Sequence, residues 1–251
     1  MIATLPMYDR PETMATNDRL WGLIREELGF GPDELTRSDD LWDLWTSPDL
    51  VLAQTCNLPY RLRLHGKVQL IGSPDYQLPG CPPGYYNSVL IARANDHRSL
   101  PELLAARVLI NQDHSQSGFG ALWFHAADLG TQPNVTGETG GHVRSAHAVA
   151  EGHGDLAALD AMSWRLIKRH DPHAAELREV ARTVPTPATP FITSLSQNPA
   201  LIRAAMQRAI ARLDEKTREA ISLYAICALK ESTYLDLPNP PALQFAQVNA
   251  S

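Results

Sequence analysis

Positive charge is in short supply: 22 Lys and Arg stand against 28 Asp and Glu, a formal charge of −6. The chain therefore lacks the broad basic footprint that nucleic acid or an anionic membrane requires, and any anionic ligand has to be held locally. Cysteine is scarce too. Cys56, Cys81 and Cys227 show no CxxC or Cys/His spacing, which excludes a disulfide scaffold and a sulfur-ligated metal. Two readings of these thiols stay open: buried reduced side chains, or a Cys56–Cys81 pair in an exported chain, since each follows a strand-like run. No apolar stretch, including the one at 88–92, approaches the roughly 20 residues of a membrane-spanning helix. The opening Met1-Ile-Ala-Thr-Leu-Pro-Met-Tyr8 has no basic start, long apolar segment or small-residue cleavage site, so it does not read as a signal peptide. Also missing are GxGxxG, GK[ST], HExxH and internal repeats, which disfavours nucleotide binding, metal catalysis and solenoid folds.

What is present is a pattern of alternating strands and helices. With 44% apolar and 20% charged residues the chain can bury a sizeable core, and the alternation predicts an α/β architecture with mainly parallel sheets. Residues 2–5 read as a strand. Thr16 or Asn17 is placed to cap a helix whose Leu20, Trp21, Ile24 and Leu28 share a face, stopped by Gly29. Residues 49–54, 68–71 and 88–92 read as buried strands, and 73–84, rich in Pro and Gly, as an ordered loop. A second β-loop-α series follows: helices at 100–105, 117–128, 142–151 and 161–170, and strands at 108–111, 134–136, 156–159 and 180–183. The three prolines within 185–190 predict a stiff extended crossing. Two amphipathic packing helices, at 201–213 and 216–229, precede an irregular tail from 237.

The chemistry concentrates at strand-to-helix turns. In Asn111-Gln-Asp-His-Ser115-Gln-Ser117-Gly118, two hydroxyls straddle a helix start, whose free N–H groups and positive dipole end suit an anion; the plain alternative is a serine cap. Thr136-Gly-Glu-Thr-Gly140-Gly141-His142 repeats this logic, with an imidazole at the helix entrance. Asp160 ends a buried strand, where open α/β sheets bind ligands, and reads either as a ligand-orienting carboxylate or as a helix cap. Tyr8 and Tyr60 are candidate phenolic donors. Ser, His and Asp together admit a hydrolase reading, but Ser117 lacks the first glycine of G-x-S-x-G.

The order of these motifs resembles the phosphate, phosphite and phosphonate substrate-binding proteins of ABC transporters. The residues that carry the resemblance are Leu5-Pro-Met-Tyr8, Ser115-Gln-Ser117-Gly118, Gly140-Gly141-His142, Glu151 to Asp160, and Arg182-Thr183 through Pro190-Phe-Ile-Thr193. It implies a type II periplasmic-binding-protein fold: two α/β lobes joined by a two-strand hinge, lobe 1 from 1–93 and 186–251, lobe 2 from 94–185. It further implies a monomeric, non-enzymatic protein without cofactor or metal, handing a small phosphorus oxyanion from an interlobe cleft to a permease. By the family pattern the oxyanion sits on Ser115, Gln116 and Ser117, with His142, Tyr8 and Tyr60 around it and Asp160 nearby. Gln116 departs from the family, many of whose members have a small hydroxyl residue there. Periplasmic location follows from the resemblance, whereas the lack of a leader favours a cytoplasmic sensor or scavenger on the same fold.

Overall fold

The computed structural model describes residues 1–243, which fold into two compact units: residues 1–86 with 185–237, and 87–184 with 238–243. No helix among the described residues is long and apolar enough to cross a membrane.

The first unit begins with β1 (Ile2–Thr4), α1 (Met14–Leu28), α2 (Leu41–Thr46) and β2 (Leu50–Gln54). Helix α1 buries Leu20, Trp21 and Ile24. It ends where Gly29 adopts φ 75°, a left-handed cap whose N–H returns to the Arg25 carbonyl. It starts at Met14 rather than behind Thr16 or Asn17, because the chain is already turned by the Thr13 hydroxyl, which donates to the Tyr8 carbonyl (2.6 Å). Next come α3 (Asn57–Pro59), continued by a wide π-type turn over Tyr60–Leu64, then β3 (Val68–Asp75) and β4 (Tyr85–Tyr86). Strand β3 thus runs into the segment expected to be loop.

The second unit follows with β5 (Ser88–Arg93), α4 (Leu100–Ala105), β6 (Val108–Ile110), α5 (Ala121–Asp128), β7 (Val135–Glu138), α6 (His142–Ala150), β8 (Leu156–Asp160), α7 (Ala161–His170) and β9 (Leu177–Arg182). The chain then completes the first unit with β10 (Thr186–Pro187), β11 (Phe191–Ser194), α8 (Pro199–Arg212), α9 (Glu215–Ile221), β12 (Ala225–Cys227) and α10 (Ser232–Leu235).

Each unit is built on a five-stranded mixed sheet, ordered β1-β2-β11-β3-β12 in the first and β7-β6-β8-β5-β9 in the second. The expectation of mainly parallel sheets is corrected: among the described residues only the strand pairs β1–β2, β6–β7 and β6–β8 are parallel, while β5, β11 and β12 run against their neighbours. The βα rhythm fixes direction only for strands joined by a local crossover. Strand β11 pairs with β2 and β3, more than 100 residues earlier in sequence, and nothing local announces its direction.

Three further expectations change. Residues 88–93 belong to the second unit, not the first, because β5 is hydrogen-bonded to both β8 and β9 and buries Leu90 and Ala92 in that core. Residues 238–243 also join the second unit, where Leu243 packs against the same core. They carry no regular element, and the remainder of the expected irregular tail lies outside the described residues. The long helix expected over 216–229 stops at Ile221, where Ser222 turns left-handed (φ 49°), and the chain re-emerges as β12 on the β3 edge. No disulfide joins Cys56, Cys81 or Cys227.

Candidate anion-binding site

In the second unit, β7, β6 and β8 lie side by side and parallel, so their C-terminal ends share one edge of the sheet and the turns that follow them gather there. This is the edge at which open α/β sheets bind ligands. The turn after β6 carries Ser115, whose Oγ accepts the Gly118 N–H (3.0 Å). The chain then makes a wide π-type turn over Gln116–Gly120, with the Gly120 N–H reaching the Ser115 carbonyl (3.0 Å), before α5 begins. Such turns expose backbone donors and recur at functional sites. The Ser117 carbonyl accepts from the Ser88 hydroxyl of β5 (2.8 Å), which anchors the turn to the sheet.

The side chains converge on one atom. His142 Nε2 lies 3.0 Å from Ser117 Oγ, 3.3 Å from Asp160 Oδ2 and 3.5 Å from Asn111 Nδ2. The imidazole is mostly buried, its side chain 14% exposed. Burial holds its pKa below the ordinary 6.5, opposed by the Asp160 carboxylate, so the ring is neutral near pH 7. Asp160 caps α7 by accepting from the Ser163 N–H (2.8 Å) and hydroxyl (2.5 Å), which is the helix-cap reading, and its Oδ2 also stands beside His142. Asn111 Oδ1 is buried without a hydrogen-bond partner; it is an acceptor, so a donor and not an anion's oxygen would satisfy it.

Gly118 is required by this packing. A Cβ there would lie 1.7 Å from Asn111 Oδ1 and 3.3 Å from His142 Cε1.

The geometry also speaks against the hydrolase reading. In a catalytic triad serine and carboxylate bind opposite imidazole nitrogens, so that one accepts the proton while the other is held. Here Ser117 and Asp160 face the same nitrogen.

The remaining expected residues fall out differently. Ser115 uses its oxygen as a cap, leaving its proton to donate. Gln116 is buried within the turn and lies back along it, Oε1 3.4 Å from a Cβ built on Gly120. Tyr8, in the first unit, ends a short 3-10 turn (Pro6–Tyr8) and packs edge-on against Tyr76 at 5.4 Å. Beside it is a cavity of about 30 Å³ also lined by Asn17, Gln54 and Phe191.

Tyr60 is corrected: it is fully buried in the first unit's core against Tyr234, and its hydroxyl donates to Glu231 (2.6 Å). An apolar ring followed by an apolar core explains the placement, and the phenol is already engaged.

Sequence reading missed Asn111, and in the first unit Thr55 and Asn57, whose Oγ1 and Nδ2 are buried without hydrogen-bond partners where β2 passes into α3. The available signal was similar in both places: polar residues at the C-terminal end of a buried, mostly apolar strand, on the way into a helix.

Comparison with known proteins bears on the fold and the family. Residues 54–234 match the family of ABC transporter, phosphonate, periplasmic substrate-binding proteins. No curated protein matches the sequence closely enough to count as a relative. Among solved structures, a binding protein component of the ABC phosphonate transporter of Pseudomonas aeruginosa is similar with a TM-score of 0.71 at 14% identity, covering 94% of this chain and 83% of that one. PhnD1 from Prochlorococcus marinus, solved with methylphosphonate, gives 0.70 at 15% identity, covering 94% of each chain. XAC2383 from Xanthomonas citri, solved with ATP, gives 0.65 at 16%, again covering 94% of each. These likenesses establish the periplasmic-binding-protein fold. With the family match spanning most of its length, the chain belongs to the phosphonate-binding family of ABC transporter substrate-binding proteins, a family of binders and not of enzymes.

Proposed function

We propose that this protein captures a small phosphorus oxyanion, a phosphonate, phosphite or phosphate, on the helix-start cluster of its second unit, and delivers it to an ABC transporter permease from the periplasm. The observation that carries the reading is the convergence of Ser117, Asn111 and His142 at the shared C-terminal edge of three parallel strands. Hydroxyls, a side-chain amide, an imidazole and helix-start N–H groups are the donor set a tetrahedral oxyanion needs. Asp160 steadies the imidazole. Tyr8 is the first-unit candidate for a phenolic donor; Tyr60 is withdrawn because Glu231 holds its hydroxyl. The methylphosphonate seen on PhnD1 makes that compound the first ligand to try.

Thermal unfolding against methylphosphonate, 2-aminoethylphosphonate, phosphite, phosphate and sulfate tests the reading. At ligand about 1,000 times the dissociation constant, linkage adds about 4 kcal/mol, a shift of several degrees for a chain of this length. A shift with one phosphorus oxyanion and none with sulfate is expected. No shift with any of them would reject phosphorus oxyanions as the ligand class.

A further inference from the structure

We infer that Arg144 is a positioning residue for the oxyanion site: its guanidinium fixes the Thr139–Gly141 turn so that the Gly141 N–H and the His142 imidazole are both presented to the ligand. This inference rests on the anion-binding reading of the second unit.

Arg144 lies in the first turn of α6, and its side chain is exposed. It touches no residue of the Ser117 cluster by hydrogen bond. Instead Nε donates to the Thr139 carbonyl (2.6 Å), and a second guanidinium nitrogen donates to the Gly140 carbonyl. Two neighbouring carbonyls are thereby turned toward one fork, the bidentate geometry that arginine supplies and lysine does not.

A trans peptide is planar, so its N–H points opposite to its C=O. With the Thr139 carbonyl on Arg144, the Gly140 N–H has to point the other way, and it does, reaching the Asn111 carbonyl at 2.7 Å. By the same rule the Gly140 carbonyl on Arg144 sends the Gly141 N–H away from the guanidinium, toward the side where Asn111 lies. Gly140 reaches this arrangement with φ 80°, and a Cβ on it would stand 2.5 Å from the guanidinium. The hydroxyl pair Thr139 Oγ1 to Ser145 Oγ (2.6 Å) ties the other side of the turn to the buried face of α6. The imidazole of His142, the residue that follows, is aimed by the turn so fixed.

The test compares wild type, Arg144→Met, Arg144→Lys and Ser117→Ala by calorimetric titration with methylphosphonate, and follows the ligand-free His142 ring by NMR through a pH titration. The inference predicts that Arg144→Met and Arg144→Lys both weaken binding by about tenfold or more, the scale of one charged hydrogen bond. It also predicts that in both variants His142 titrates closer to its ordinary value, as the loosened turn admits water. Full recovery of affinity in Arg144→Lys would assign the effect to charge alone and overturn the positioning role. Wild-type affinity and an unchanged His142 titration in Arg144→Met would overturn it too. If Ser117→Ala binds like wild type while wild type does bind methylphosphonate, the anion-site reading fails first, and the failure is traced to that reading rather than to Arg144.

Discussion

Gly118 and Tyr60 show how a single side chain, or its absence, decides what a turn can do. With Asn111 Oδ1 standing where a methyl group would go, Gly118→Ala forces Asn111 off His142. Overpacking of this kind costs about 1–3 kcal/mol, and it falls on the site itself. We expect calorimetry to show oxyanion binding weakened at least about tenfold in Gly118→Ala; binding equal to wild type would mean that Asn111 does not serve the ligand.

Tyr60→Phe runs the other way. It removes one hydrogen bond to Glu231, a carboxylate whose side chain is 54% exposed, so water can replace the lost donor and urea unfolding should register a loss of about 1 kcal/mol or less. Ligand affinity should stay unchanged, and a large loss of affinity would restore Tyr60 to the site. That Ser117 and His142 stand where strands turn into helices was legible from the order of residues. That Tyr60 faces inward was not legible, because a tyrosine after an apolar strand serves equally as core or as donor.

At the scale of elements, the second unit is fastened where β5, α4 and β8 meet. The Asp155 carboxylate, nearly buried, accepts from Arg107 (2.9 Å), Arg93 (2.8 Å) and Arg98 (3.0 Å). Hydrogen bonding from Arg107 is the largest influence holding its pKa far below the ordinary 3.8, with Arg93 and Arg98 adding to it against the opposing effect of burial. Because the folded-state pKa is depressed, this contribution is fully present above about pH 4 and is lost as pH falls below that value through the folded pKa. Asp155→Asn should therefore destabilise the protein by about 2 kcal/mol at pH 7, the scale of a charged hydrogen bond, with the difference from wild type shrinking steadily below pH 4. A difference independent of pH would show that lost packing, not charge, is responsible.

Most elements were legible in the sequence for a simple reason. Strands such as β2 and β8 are buried at every position and read as four-residue apolar runs, each closed by one polar residue. What was illegible depends on distant partners. Leu223 and Ile226 fit a continuing helical stripe as well as a strand, and only the open edge of β3, 150 residues earlier, decides for β12. The same holds for β5: its apolar run was evident, but its membership of the second unit is fixed by pairing with β8 and β9.

For the whole molecule, the chain passes between units after Tyr86, after Val184 and once more after Leu237, and the short strands β4 and β10 pair beside the first two passages. The order of motifs along the chain was enough to suggest the family, because a fold in which the chain leaves one unit and returns fixes which turns can carry ligand groups. The identity of the ligand is a finer property, which the proposed reading assigns to a few atoms around His142 and Asn111.

The central claim, that a phosphorus oxyanion is held at the Ser117–His142 cluster, is tested most directly by calorimetric titration of methylphosphonate and of sulfate into wild type and Ser117→Ala. The account predicts saturable 1:1 binding of methylphosphonate by wild type, none of sulfate, and a loss of about 1–3 kcal/mol in Ser117→Ala, the cost of one hydrogen bond to a charged group. Equal affinity in wild type and Ser117→Ala, or binding of sulfate as tight as that of methylphosphonate, would contradict it.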